Sequence, residues 1–439
     1  MASNSIEVGN YFLNKYAAVD ARPRWLPKDA ILVSVDSDGQ VTQVGANTFF
    51  PMKLNTDGAI AFRFVAVEVN DGQASHLREL FETSPVIFTS YMRGRLFESR
   101  ESISIGLDGD GSVMTPIALD QTNSSFLIGE SIFAKYYRKI DPFNREARYY
   151  QEMKQSAAVT PYFGKVVDSA GRIESILTGS LKDPKSLFQV TVDAIKAGDW
   201  NSVMANIASA GKALGEVHSA ISEISADSVE LLDWYVGRCL ARGDEFDGEV
   251  AGVDLGQTKY FVEVGETLRS LGGNLGNSPS HGDFHLGQCL IEGGRVVVID
   301  FEGEPVGEGL HPFDSTFRDI SGGLRSLSYL VGVAIAPEAV VDLFDRVIEM
   351  RRVFLRGYVS SPTGAELVLS ESCMEAVAFF EFEKACYELL YEKTFRPGWI
   401  DIPASSVRQV GEALKSRSSW NAVQGAEDRI ESIANFYRR

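Results

Sequence analysis

Up to about residue 140, apolar and polar residues alternate in short segments. The stretch "AILVSVDSDGQVTQVG" reads as strand, Asp-Gly turn, strand, because a period of two turns one face to a core and Asp-Gly suits a tight hairpin. "AFRFVAVEVND", "SPVIFTSYM" and "RLFESRESISIGL" have the same character, and "FLIGESIFAKYYRK" predicts a hairpin that turns at Gly129-Glu130. From Asp199 the period changes. Val203, Ile207, Leu214, Val217 and Ile221 keep helical spacing, and His218 lies on the same stripe as a core histidine. One β-branched segment, "RVVVIDFEGEP", interrupts the helical part after a Gly-Gly turn. The pattern predicts an α+β chain: β-rich first, then mainly helical with a small embedded hairpin.

Composition narrows the possibilities. A chain of 439 residues has room for two or three domains, and 44% apolar with 23% charged residues is ordinary for a soluble globular protein. A net charge of −18 repels phosphate backbones and anionic lipid, so nucleic acid and membranes are not expected partners. A small anion can still bind at a local cation or a metal. The opening "MASNSIEVGNYF" lacks a basic segment followed by an apolar core, and the apolar run Leu330 to Ala336 stops at Pro337, too short for a bilayer. Cys239, Cys289, Cys373 and Cys386 form no C-x-x-C pair and read as buried reduced thiols, which suits the cytoplasm. Nothing demands more than a monomer. "LDGDGS" at 107–112 mimics a calcium loop, but the twelfth position from Asp108 is Leu119, where a bidentate glutamate is needed.

The chemistry gathers in "SHGDFHLGQCLIEGGRVVVIDFEGEP", residues 280–305. With Asp283 as the base that orients a hydroxyl, Gln288 and Asp300 supply two oxygen ligands for Mg2+, and these are the groups that phosphoryl transfer requires. Upstream, the polar stretch from Gln121 to Ser125 offers small hydroxyl residues, Ser124 and Ser125, and backbone N–H groups to cradle phosphates. Lys135 sits within an apolar strand, where a lone cation is costly and a nucleotide phosphate would offset it. Glu146 is the expected orienting partner of Lys135, with Glu152 the competing choice. His281 is expected to support the loop, and His285 to reach substrate. The other reading of His281, Asp283 and His285 is a hydrolytic metal cluster, but the chain has five histidines and the other three, His76, His218 and His311, are scattered, so nitrogen ligands are few.

These residues carry a resemblance. "HGDFHLGQ…VVVIDFEGEP", "FRDISGGLRS", "QTNSSFLIGESIFAKYYRK" and "FEKACYELLYEKTFRPGWIDIP", in order over roughly residues 120–405, are similar to the maltokinase group of the aminoglycoside-phosphotransferase-like kinases. The resemblance implies a bilobal protein-kinase-like fold: an N-terminal cap over 1–112, a nucleotide-binding part over 113–190 and a helical lobe over 191–439. It implies ATP and Mg2+ as cofactors and a small sugar as substrate. It makes Asp283 the catalytic base, Gln288 and Asp300 metal ligands, and Lys135 a contact to ATP phosphates. Of the opening signature only "PRWLPKD", around Trp25, is kept, and the chain looks closer to the actinobacterial glucosamine-kinase subgroup. Glucosamine, phosphorylated on its 6-hydroxyl, is then the expected substrate and maltose the alternative. A nucleotide-binding module without catalysis is the alternative from another class.

Glu381, Lys384, Glu388 and Glu392 follow one helical face. Two readings stay open: a solvated face with a Lys384–Glu388 pair, or a sugar-binding face completed by Tyr387, Tyr391, Arg396 and Trp399. Glu304, Glu388 and Glu392 are the carboxylates available to a substrate ammonium group.

Overall fold

The computed structural model describes residues 4–19, 22–23, 25–26, 28, 30–57, 60–70, 75–99, 113–117, 123–141, 144–153, 155–221, 232–237, 249–250, 253–254, 258–270, 280–303, 315–336, 343–415, 423 and 425–437. Contacts within the chain divide it into two units, residues 1–151 with 160–182, and residues 152–159 with 183–439.

The first unit holds two antiparallel sheets. In one, β1 (Leu32–Ser37), β3 (Asn47–Thr56), β4 (Ala61–Asn70) and β5 (Ser75–Glu79) lie in that order, and β2 (Thr42–Val44) also pairs with β3. The expected β1–β2 hairpin is therefore corrected: both strands pair with β3. The residues from 38 to 41 carry the chain from one stretch of β3 to another. The second sheet runs β6 (Met114–Ile117), β7 (Ser124–Ile128), β8 (Ile132–Tyr136), β10 (Ile173–Gly179), β9 (Tyr162–Val167). The hairpin at Gly129-Glu130 joins β7 to β8 as expected, and Gly129 takes the positive φ of 58° that its turn needs.

Two helices depart from the strand pattern. Residues Pro85–Glu98, expected as strand, form a helix. Phe88, Tyr91, Met92 and Leu96 are all buried, at the spacing of one helical face, and pack with residues of both sheets. Pro85 begins the helix, where its missing N–H costs nothing. The Ser5–Ala17 helix starts from a capping box, Asn4 with Glu7. Its Val8, Phe12 and Tyr16 share a core with Trp25, Phe62 and Phe64, so Trp25 is a core residue of this unit.

The second unit is mainly helical. Its helices include Leu187–Lys196, Trp200–Ala220, Thr258–Ser270, Thr316–Ala334, Phe344–Tyr358, Pro362–Leu369, Cys373–Phe395, Asp401–Lys415 and Ala426–Ala434. β11 (Lys185–Ser186) pairs with β14 (Cys289–Glu292), which pairs with β15 (Arg295–Val298); β12 (Glu249–Val250) and β13 (Val253–Asp254) form a separate short pair. The Trp200–Ala220 and Phe344–Tyr358 helices touch backbone to backbone: a Cβ on Gly211 would run into the Phe354 carbonyl. Cys289, Cys373 and Cys386 are buried free thiols; Cys239 lies outside the described residues. Among the described residues no helix is long and apolar enough to cross a membrane.

Candidate active site

The loop from His281 to His285 is clamped from below by one carboxylate. Asp319, on the first turn of the Thr316–Ala334 helix, accepts the backbone N–H of His281 at 2.6 Å and of Gly282 at 2.8 Å. His218 Nε2 meets the same carboxylate at 3.0 Å, and His218 Nδ1 meets the Tyr358 hydroxyl at 2.8 Å. Burial opposes charge on Asp319, yet the hydrogen bonds from His218 and Gly282 and the neighbouring histidines hold its carboxyl below the usual aspartate range. Arg318 donates to the Gly282 carbonyl, which fixes the loop from a second side.

The histidines are neutral supports. His281 Nε2 lies 2.9 Å from the Ile299 carbonyl, and its Nδ1 accepts the Asp283 amide at 3.3 Å. Those partners require the Nε2–H tautomer and leave no ring lone pair for a metal, so the hydrolytic-cluster reading fails here. Burial lowers the pKa of His281 and of His285. His285 Nδ1 accepts the Gly287 amide at 3.0 Å and closes the turn into Leu286–Gln288.

Gly322 sets how closely this loop approaches its helix. A Cβ there would collide with the Phe284 carbonyl. Gly322→Ala is expected to destabilise the protein by about 2 kcal/mol through overpacking, and to lower turnover more than it raises any KM, because Phe284 follows Asp283. Denaturant titration beside steady-state kinetics reads both; unchanged turnover would show that the loop tolerates the shift.

The β14–β15 hairpin brings the two expected metal ligands together. Cys289 pairs with Val298, the Ile299 amide donates to the Gln288 carbonyl at 3.0 Å, and Gln288 Nε2 then sits 3.1 Å from Asp300 Oδ2. Asp300 has a φ of 67°, a left-handed conformation that non-glycine residues rarely take. That strain turns its carboxylate back toward Gln288 at the hairpin's end.

In the first unit, Lys135 Nζ lies 2.9 Å from Glu146 Oε2, which also accepts the Tyr137 hydroxyl at 2.8 Å. Glu146 is thus an ion-pair partner of Lys135. Ser124 and Ser125 lie within a strand. In β7, Ser125 pairs with Ile117 of β6 and Lys135 of β8, and Ser124 pairs with Tyr136 of β8. The Ser124 hydroxyl accepts Arg138 Nε at 2.7 Å, and Ser125 is buried. Gln121 and Thr122, in the preceding polar stretch, lie outside the described residues.

The Cys373–Phe395 helix does not present the solvated face of the first reading. Glu381, Lys384 and Glu392 are buried. Glu381 takes both Arg351 nitrogens, at 2.6 and 2.8 Å. Lys384 donates to Asp283 Oδ1 at 2.9 Å, so the Lys384–Glu388 pair gives way to one that sequence reasoning missed. Glu388 accepts Arg325 Nε at 3.0 Å and Nη2 at 2.5 Å. Glu392 Oε1 accepts the Tyr329 hydroxyl at 3.0 Å and Arg396 Nη2 at 2.7 Å, while its buried Oε2 has no hydrogen-bond partner. Burial raises the Glu392 pKa. Trp399 is half-buried, 6.2 Å from the Tyr329 ring; Tyr387 stands beside Lys384, whose Nζ is 5.2 Å from its ring centre. Glu304 lies outside the described residues.

No family model matches this chain. It is 23% identical over 330 residues to the glucosamine kinase of Mycolicibacterium smegmatis, spanning 66% of this chain and 78% of that one. Among solved structures it is similar to glucosamine kinase in one crystal form, with a TM-score of 0.66 and 16% identity over 93% of this chain and 99% of that one. It is also similar to glucosamine kinase in complex with glucosamine, ADP and inorganic phosphate, with a TM-score of 0.63 and 19% identity over 93% and 100%. The chain therefore has the α+β, kinase-like fold of glucosamine kinase.

Proposed function

We propose that the protein transfers the γ-phosphoryl group of ATP to the 6-hydroxyl of glucosamine. The observation that carries this is the Asp283 carboxylate, held on a clamped loop that leads directly into the Gln288–Asp300 pair. The likeness in fold and sequence to glucosamine kinases supports it. The acceptor oxygen bonds to the γ-phosphorus as the bond to the bridging oxygen of ADP breaks, and that electron pair leaves on ADP. Asp283 orients the hydroxyl and takes its proton. Lys135, oriented by Glu146, supplies a cation for nucleotide phosphates.

Gln288 and Asp300 fit Mg2+. They are hard oxygen donors already side by side, and a half-turn of the Gln288 amide faces its oxygen, in place of its NH2, toward a shared ion. When bound, the ion neutralises phosphate charge.

The buried, unpartnered Oε2 of Glu392 favours a substrate that carries an ammonium group. Glu388 is less suited, since Arg325 already occupies it twice. Trp399 offers an aromatic surface beside this carboxylate's partners, Tyr329 and Arg396. Glucose, without the amine, is expected to lose about one to two powers of ten in kcat/KM. N-acetylglucosamine, uncharged and bulkier, should lose at least as much. Glu392→Gln should narrow the gap between glucosamine and glucose. Measuring kcat/KM for glucosamine, glucose, N-acetylglucosamine and maltose under one set of conditions tests all of this. Maltose ahead of glucosamine would make the protein a maltokinase, and equal values for glucose and glucosamine would remove the carboxylate–ammonium contact.

A further inference from the structure

The Cys373–Phe395 helix sends a cation to the group that takes the proton. Lys384 Nζ donates to Asp283 Oδ1 at 2.9 Å, and Lys384 is only 9% exposed. Holding a long amine in this pocket costs desolvation and side-chain entropy, so the contact has to be specific to persist. The carboxylates of the same helix face arginines. Glu381 is taken by Arg351, Glu383 faces Arg318 at 4.0 Å, Glu388 is taken by Arg325, and Glu392 by Arg396. The usual i, i+4 partner of Lys384 is thereby engaged elsewhere.

Building on the kinase function proposed above, we propose that Lys384 is the positioning residue of the catalytic base. It pins one oxygen of Asp283 so that the other faces the acceptor hydroxyl. A carboxylate on a short side chain turns readily about its last torsion, and only some orientations place a lone pair in line with the incoming O–H. Backbone bonds fix His281 and Gly282, but they do not fix the Asp283 carboxylate itself. Lys384 does. It stands one helical turn before Glu388 and two before Glu392, and side chains on a helix lean toward its N-terminus. The helix that presents the carboxylate for the substrate amine therefore also sets the angle of the base. A sugar seated on that helix meets a carboxylate whose orientation is referenced to the same backbone.

Lys384→Met keeps the length of the side chain and removes the ammonium. It is expected to lower kcat for glucosamine by about 10²-fold, the scale of a misplaced reacting group, while KM for ATP stays within about threefold of wild type. Lys384→Arg should fall between wild type and Lys384→Met. Because the effect passes through Asp283, adding Lys384→Met to Asp283→Asn should slow the enzyme no further. Wild-type kcat in Lys384→Met, or losses that multiply in the double variant, would overturn the proposal. Should Lys384→Met melt below the assay temperature, Lys384→Arg in the Asp283→Asn background carries the test, and any added loss there counts against it. The kinase function is judged separately. If Asp283→Asn is inactive and Lys384→Met is normal, only the role of Lys384 fails; if Asp283→Asn is fully active, the kinase mechanism itself fails.

Discussion

Asp283→Asn is expected to lower kcat for glucosamine phosphorylation by about 10²–10⁴-fold, the range over which a positioned general base acts. Asparagine has nearly the same shape, and its amide oxygen can still accept the Lys384 ammonium, so the contact to the helix survives. The loop survives too, since Asp319 and Arg318 hold it by its backbone at His281 and Gly282. What disappears is the capacity to take a proton from the acceptor hydroxyl. Affinity for ATP should therefore change little, while the melting temperature should fall because the buried Lys384 ammonium loses its charged partner. A coupled assay for ADP release gives kcat, and calorimetric titration with ATP gives affinity. A variant that turns over at the wild-type rate would remove Asp283 from the mechanism; one that loses its fold would make it a structural residue.

The second large effect belongs to Asp319. Its side chain is fully buried and gathers two backbone N–H groups and His218 Nε2 on two oxygens. Asparagine keeps one of those oxygens and turns an NH2 group toward donors, so at least one buried N–H loses its acceptor. Asp319→Asn is expected to cost about 2–3 kcal/mol, the scale of leaving buried hydrogen-bond donors without their acceptor, and to lower kcat because the loop that carries Asp283 loosens. The pH dependence follows from the direction of the shift. The folded-state pKa of Asp319 lies below its unfolded value, so the unfolded chain takes up this proton first as the solution is acidified. The contribution of Asp319 is complete above the unfolded value, about 4, and is lost as the pH falls from there through the folded value. Urea midpoints at pH 7 and at progressively lower pH should show the gap between wild type and Asp319→Asn closing. A gap that stays constant, or widens, would show that the carboxylate is not what the loop depends on.

Much of the site can be read in the sequence because it is local. Asp283, Gln288 and Asp300 come from one loop and one hairpin, and the Gly-Gly turn before "RVVVID" announces that hairpin. Lys135 and Glu146 are likewise close in the chain, and the turn at Gly129-Glu130 marks the β7–β8 hairpin. Long-range partners are less visible. Lys384 lies about a hundred residues from Asp283, and at four residues from Glu388 it has the spacing of an ordinary surface pair. What distinguishes it is the apolar setting: Phe379, Phe380, Phe382, Ala385 and Cys386 surround it and are buried, so the helix is covered on every side there. The Pro85–Glu98 helix reads as strand because Val, Ile, Phe, Thr and Tyr favour strands on average, whereas its burial at i, i+3, i+4 and i+8 follows the helical period. The same preference misleads nothing at β4, where both faces are covered and a nearly continuous apolar run is what a buried strand shows. The "NSIE" capping box at residues 4–7 is a usable helix signal that the β-rich surroundings obscure.

The β14–β15 hairpin makes the spacing of Gln288 and Asp300 a matter of parity. Gly293 and Gly294 form its turn, with φ of 56° and 79°, at the end opposite these two residues. Chain added in that turn lengthens a loop and leaves the strands in register. A single residue removed from Arg295–Val298 shifts every later side chain to the other face of the ribbon, and Asp300 with them. Closely related chains should therefore vary freely in length at Gly293–Gly294, while the interval from Arg295 to Asp300 should be constant wherever phosphoryl transfer is retained.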